Sequence, residues 1–267
     1  MSLLIALILG LIQGVTEFLP VSSSGHVLIF SRLLDSPSSF EFDVLVSFGT
    51  LFAVIIYYRK RLVEIASDIF KRRDFNLALK LIVATIPAVI AGVLFKDVIE
   101  LYLHGTNTAI AMLLIIGALM IYSVRWKPNK NLEVNANLHK ITTKQAFLIG
   151  LAQCVSLISG SSRSGTTMLA AIKLGFNTKV AAEWSFLMSI PVIAGASIRV
   201  LLSSEGLGYV QNNLSTFIIA NVVSFIAGIA AIHILLKILQ QKGLYWFGWY
   251  RVILAVVLIL LVSVKLL

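Results

Sequence analysis

Apolar residues run almost without interruption along this chain, and the breaks carry most of the information. Residues 2–19 are mostly apolar, Pro20 and a Ser22–Gly25 turn follow, and Val27–Leu34 resume the run. A spanning helix takes roughly 20 apolar residues, and neither arm has clear length to cross alone with its flanks. Backbone that breaks at membrane depth is tolerated only where protein or a water-filled cavity covers it. Residues 1–34 therefore read as a re-entrant helical hairpin, with one spanning helix followed by a surface helix as the alternative. Longer runs at about 42–58, 76–95, 106–125, 178–201, 214–238 and 248–266 predict six spanning helices. A second interrupted stretch, 145–175, predicts a second hairpin.

The two interrupted stretches are copies of one another. Shifted by 140 residues, Gln13–His26 lies over Gln153–Thr166 without a gap. Ala6/Ala146, Gly10/Gly150, Leu11/Leu151, Gln13/Gln153, Val15/Val155, Ser22/Ser162, Ser24/Ser164 and Gly25/Gly165 are identical pairs. Two short windows do not share so many positions by chance, so the chain is a duplication. The expected organisation is one membrane domain, with a first repeat at about 1–126, a second at about 144–267 and a cytoplasmic linker at about 127–143.

Composition sharpens the class. The chain is 58% hydrophobic and 13% charged, with a mean hydropathy of +0.95, whereas a soluble domain carries about 25% charged residues. This is the profile of an all-α polytopic membrane protein. The N-terminal run lacks a basic n-region, so no cleavable signal peptide is expected. A net charge of +10 does not call for nucleic acid here, because Lys and Arg collect in the cytoplasmic loops of membrane proteins. Arg59, Lys60, Arg61, Lys71, Arg72 and Arg73 crowd one loop. Arg125, Lys127, Lys130, Lys140 and Lys144 crowd a second, and Lys237 and Lys242 mark a third. Segments 96–105 and 202–213 have one Lys and none, and read as external. With that parity the matching spans of the two halves run in opposite directions. The result is an inverted-topology repeat whose hairpin tips meet near mid-bilayer, an arrangement familiar from transporters. The lone cysteine, Cys154, excludes an intrachain disulfide.

Chemistry concentrates at the tips. Glu17 lies four residues after Gln13, on one helix face, and a carboxylate inside a membrane segment is a functional candidate by default. Ser22, Ser23 and Ser24 offer hydroxyls beside Gly25, and His26 can carry a proton near neutral pH. A serine with a nearby histidine is the minimum for an activated nucleophile; the plainer reading is a turn whose serines cap the next helix. In the second tip, Gly160 and Gly165 permit a tight turn whose N–H groups suit an anion. Arg163 adds a planar fork for phosphate oxygens, and Ser162, Ser164 and Thr167 add hydroxyls. The plainer reading there is an Arg163–Glu17 pair serving structure. Glu183, near the start of the fourth span, and Glu41, at the start of the first, form a second tier that could orient the tips or help bind a cation; a solvated helix end is the equal alternative for Glu41. Together the tips imply an anionic phosphate on a lipid-like carrier. Pyrophosphate charge would call for a divalent cation held by one or two carboxylates.

These residues resemble the BacA-type undecaprenyl-pyrophosphate phosphatases, over essentially the whole chain. One family motif is Glu or Gln, three residues, then Glu, followed by FLPVSS-x-GH; here it is Gln13, Glu17 and Phe18–His26. The other is PG-x-SRSG-x-T, here Ser159–Thr167. The resemblance implies six spanning helices with two re-entrant hairpins. It also implies a bacterial inner-membrane hydrolase that turns undecaprenyl diphosphate into undecaprenyl phosphate and inorganic phosphate, with Mg²⁺ or Ca²⁺, its site facing outward. Such enzymes recycle the cell-wall lipid carrier and confer bacitracin resistance. By the same resemblance Glu17 serves the metal or acid/base role, with Gln13 nearby; Ser23 is the nucleophile, His26 its base and Arg163 the phosphate clamp. Gln13, Ser22, Ser24, Gly25, Gly160, Ser162, Ser164, Gly165 and Thr167 line the substrate. Partners are the polyprenyl diphosphate and membrane lipids, not nucleic acid, with a homodimer permitted. Gln13 stands at the first acidic position and Ser159 where the motif has Pro. A polyprenyl-phosphate or anion transporter built on the same inverted repeat is the competing reading. It uses Arg163 equally well but has no need of Ser23 with His26.

Overall fold

The computed structural model describes residues 1–36, 39–103, 105–126 and 138–264. Linker residues 127–137, with Lys127 and Lys130, lie outside them. The described chain is helical. In the first half run α1 (Leu3–Phe18), α2 (Ser23–Leu33), α3 (Phe40–Leu45), α4 (Ser47–Tyr57), α5 (Arg59–Ser67), α6 (Asn76–Leu94), the short α7 (Lys96–Val98) and α8 (Thr106–Tyr122). In the second run α9 (Thr143–Cys154), α10 (Arg163–Lys173), α11 (Thr178–Leu201), α12 (Ser204–Asn212), α13 (Leu214–Lys242) and α14 (Tyr245–Ser263).

Local chemistry sets the ends of the tip helices. Ser2 caps α1 by accepting from the Ile5 N–H. At its other end Leu19 is extended, ψ 139°, as a residue before proline prefers, so Pro20 stops the helix. Ser22 then caps α2 and Ser162 caps α10, each accepting from the glycine N–H three residues on. Both serines sit at positive φ, 77° and 70°. That conformation is strained for a residue with a side chain and is held where the surroundings over-determine it.

The 140-residue shift carries α2 onto α10 end for end. It also brings α1 over α9, α3 with α4 over α11, α6 over α13, and α8 over α14. Among the described residues six helices have the length and apolarity to cross a membrane: Phe40–Tyr57, Asn76–Leu94, Thr106–Arg125, Thr178–Leu201, Leu214–Gln240 and Tyr245–Ser263. Ile82, Ile86, Ile90, Ile226 and Ile259 stand exposed on their outer faces, as lipid contact requires. The chain is a multi-pass membrane protein.

The first helix of each hairpin packs against the opposite half: α1 lies along α13, and α9 along α6. Glycines permit the approach. A Cβ on Gly10 would strike the Ala220 carbonyl, and one on Gly14 would lie 2.7 Å from the Ala227 methyl. Gly10 and Gly14 are spaced as the small residues of close-packed membrane helices are. In the second half a Cβ on Gly150 would strike the Ala84 carbonyl. α8 and α14 close the bundle as a pair. Phe18, Met120, Met168, Trp184 and Phe186 fill the core directly beneath the turns.

Candidate active site

Glu17 is the hub of the tip region. It lies in the last turn of α1, and its two carboxylate oxygens are shared among three donors. Oε2 accepts from the Ser23 hydroxyl at 2.7 Å and from the Gln13 amide at 3.0 Å. Oε1 accepts from the Arg163 guanidinium at 3.0 Å. Ser23 and Arg163 are repeat mates, each the first residue of its helix after a serine cap. The duplication has thus produced one position that is a hydroxyl in one half and a guanidinium in the other, and both converge on one carboxylate. The mate of Glu17 is Leu157, so only one acid is present. The Glu17 and Arg163 side chains are 11% and 10% exposed.

The surroundings lock this geometry. The Gln13 amide also donates to Ser47 Oγ at 2.9 Å, at the break between α3 and α4. The second Arg163 nitrogen donates to the Ser185 carbonyl at 3.0 Å, and Thr167 donates to Ser185 Oγ at 2.7 Å. The Ser164 hydroxyl reaches across to the Leu19 carbonyl at 3.1 Å, tying one turn to the other. Ser22, Ser162, Ser164, Gly25, Gly165 and Thr167 are buried, their polar atoms occupied by caps and cross-links. Ser24 is exposed, 3.3 Å from Ser22 Oγ. Gly160 needs its lack of a side chain twice over: its φ is +85°, and a Cβ would strike the Ala109 backbone of α8.

The expected Ser23–His26 couple is not formed. His26 Nδ1 lies 2.7 Å from the Ser22 carbonyl, which can only accept, so Nδ1 carries a proton. The mate of His26, Thr166, makes the same bond to the Ser162 carbonyl. His26 Nε2 meets the Tyr250 hydroxyl at 2.7 Å. Both ring nitrogens are therefore engaged away from Ser23, whose hydroxyl is held by Glu17. The second tier also lies apart from the hub. Glu183 is paired with Arg61 at 2.9 Å, and Glu41 sits in the first turn of α3 behind the Ser39 cap.

A family model described as bacitracin resistance protein BacA matches residues 6–257. The chain belongs to this family. A relative from Geotalea daltonii named undecaprenyl-diphosphatase is 38% identical over 261 residues, 94% of this chain and 95% of the relative.

Of the two departures from the BacA motifs, Ser159 has a structural use. Its N–H donates to the Leu103 carbonyl at 3.0 Å, a bond that proline could not make. Four residues at the site were missed by sequence reasoning: Ser47, Ser185, Tyr250 and Arg251. The serines carried no signal, since hydroxyls are common in helices. Arg251 did carry one, as the sole charge within Tyr245–Ser263, where an ionisable residue marks function by default.

Proposed function

We propose that the chain is a membrane hydrolase that converts undecaprenyl diphosphate to undecaprenyl phosphate and inorganic phosphate. The observation that carries this is the Ser23 hydroxyl held 2.7 Å from Glu17 on a carboxylate that also grips Arg163. A hydroxyl on a carboxylate is a nucleophile beside its base, and a fork-shaped cation one bond away is suited to phosphate oxygens. The name of the Geotalea daltonii relative agrees.

In the proposed reaction the pyrophosphate draws Arg163 onto its oxygens, loosening the Glu17–Arg163 pair. Glu17 takes the Ser23 proton as Ser23 Oγ bonds to the terminal phosphorus. The bond from that phosphorus to the bridging oxygen breaks, undecaprenyl phosphate leaves with the electron pair, and Glu17 returns the proton to it. Water then attacks the phosphoserine, its proton passing through Glu17 to Ser23 Oγ, and inorganic phosphate departs. Little beyond positioning and charge neutralisation is required of a phosphoryl-transfer site. His26, fixed between Ser22 and Tyr250, anchors the start of α2 in this scheme.

A divalent ion suits the donors present. Beside Glu17 stand the Gln13 amide and the Ser23 and Ser47 hydroxyls, oxygen ligands of the hard type that Mg²⁺ and Ca²⁺ take. Among the described residues no three His, Cys, Asp or Glu side chains converge, so phosphate oxygens and water would complete the shell. Glu17 would hold the ion, with Gln13 nearby, and the ion would offset pyrophosphate charge.

The hairpin reading has support in length. α1 has 16 residues and α2 has 11, about 24 and 16 Å of helix, short of the roughly 30 Å hydrocarbon core. Those lengths and the loop charges support two re-entrant hairpins in an inverted repeat; the family match supports a bacterial cytoplasmic membrane with the site opening outward. Transport of the same anion would leave the Ser23–Glu17 bond without a purpose. The test is phosphate release from a long-chain polyprenyl diphosphate by purified protein, with Glu17→Ala and Arg163→Ala alongside. Release by wild type that both variants lose supports the hydrolase; binding without release overturns it.

A further inference from the structure

Arg251 is fully buried in the last spanning helix, with no carboxylate within ion-pair distance among the described residues. Its guanidinium is instead ringed by backbone carbonyls. Nη1 donates to Pro20 at 3.2 Å; Nη2 lies 2.5 Å from the Gly160 carbonyl oxygen, 3.1 Å from that of Ser161 and 3.3 Å from that of Met112. Pro20 belongs to the turn that presents Glu17 and Ser23. Gly160 and Ser161 belong to the turn that presents Arg163. One side chain from α14 therefore grips both turns. A turn buried in apolar surroundings leaves carbonyls that water cannot reach, and a rigid fork of five donors can satisfy several at once. Arg251 has no counterpart in the other half, where its mate is Ala111.

We propose that Arg251 is a positioning residue that sets the spacing between the two turns, and with it the reach of Ser23 and Arg163 to one carboxylate. It cannot touch substrate, because it has no exposed surface. It differs from the bonds that run directly between the halves, Ser164–Leu19 and Arg163–Glu17, in joining the turns through a third element. α14 is thereby made part of the site: Tyr250 fixes His26, and the next residue fixes the relation of the halves. Lysine at 251 would keep the charge but offer one point of attachment, too few to span both turns. Methionine would leave the carbonyls unsatisfied.

The inference rests on the proposed hydrolase, and two measurements separate their fates. The first is steady-state phosphate release by wild type, Arg251→Lys and Arg251→Met, each isolated as a monodisperse peak. The second is the distance distribution between spin labels at Phe30→Cys on α2 and Val155→Cys before the second turn, in a Cys154→Ser background. Arg251→Lys is expected to lower kcat by roughly 10- to 100-fold with KM within about threefold, and to broaden the distance distribution. Wild-type kcat in the folded variants, or lost kcat with an unchanged distribution, overturns the proposal. A wild type that releases no phosphate but shows the same broadening on substitution sinks the hydrolase reading and leaves the clamp standing.

Discussion

At the scale of single residues, the site is one carboxylate with three claimants. Glu17→Gln keeps the shape but removes the proton acceptor for Ser23. Phosphate release should fall by about 10²- to 10⁴-fold, the usual worth of a positioned base, in purified protein assayed at saturating substrate. Glu17→Ala also leaves the Arg163 guanidinium nearly buried without its partner, and a broken buried pair costs about 3–5 kcal/mol. That variant should melt well below wild type in detergent, and Glu17→Gln, which loses the charge but keeps an acceptor for the guanidinium, should melt in between. Ser23, Glu17 and Arg163 were legible in the sequence, because polar residues in apolar runs advertise themselves. Their connectivity was not. Ser23 and His26 lie three residues apart on α2, which suggests a couple. The Ser22 carbonyl, which also accepts the His26 backbone N–H, claims the imidazole instead, and a backbone acceptor leaves no mark on a residue pattern. Tyr250→Phe removes the other hold on His26. It should lower kcat by roughly 3- to 10-fold, since one neutral hydrogen bond is worth about 0.5–1.5 kcal/mol.

At the scale of elements, the turns and the helix crossings decide what can change. Ser159→Pro tests the departure from the motif. Ile158 is already extended, φ −84° and ψ 127°, as a residue before proline prefers. The expected cost is therefore the Leu103 bond alone, about 1 kcal/mol in a chemical-denaturation midpoint. Gly14→Leu is different in kind. It drives a large side chain into the Ser224 and Ala227 stretch of α13, and it should abolish recovery of monodisperse protein. The six spans were readable to within a few residues from apolar run length. The crossing of α1 onto α13 was not readable, because the glycines that permit it mark a close approach without naming the partner. Arg251 was readable in principle, as a charge no membrane helix carries idly, but its carbonyl partners come from three other segments of the chain.

At the scale of the whole molecule, loop charge and the 140-residue shift predict orientation. In a Cys154→Ser background, Lys71→Cys should react with a membrane-impermeant thiol reagent only from the cytoplasmic side, and Ser204→Cys only from outside. Labelling of both from one side would break the inverted arrangement. Both positions are exposed, so the result reports sidedness and not burial.

Because the first helix of each hairpin lodges in the opposite half, synthesis imposes a wait. The berth for α1 is α13, and roughly 200 residues separate Phe18 from Leu214. At about 5–20 residues per second that interval lasts on the order of 10–40 s. For the first part of it, until Arg163 is made 146 residues after Glu17, the carboxylate lacks its countercharge, and bare lipid is no refuge for it. The nascent hairpin must be sheltered by the insertion machinery until the second half arrives to receive it.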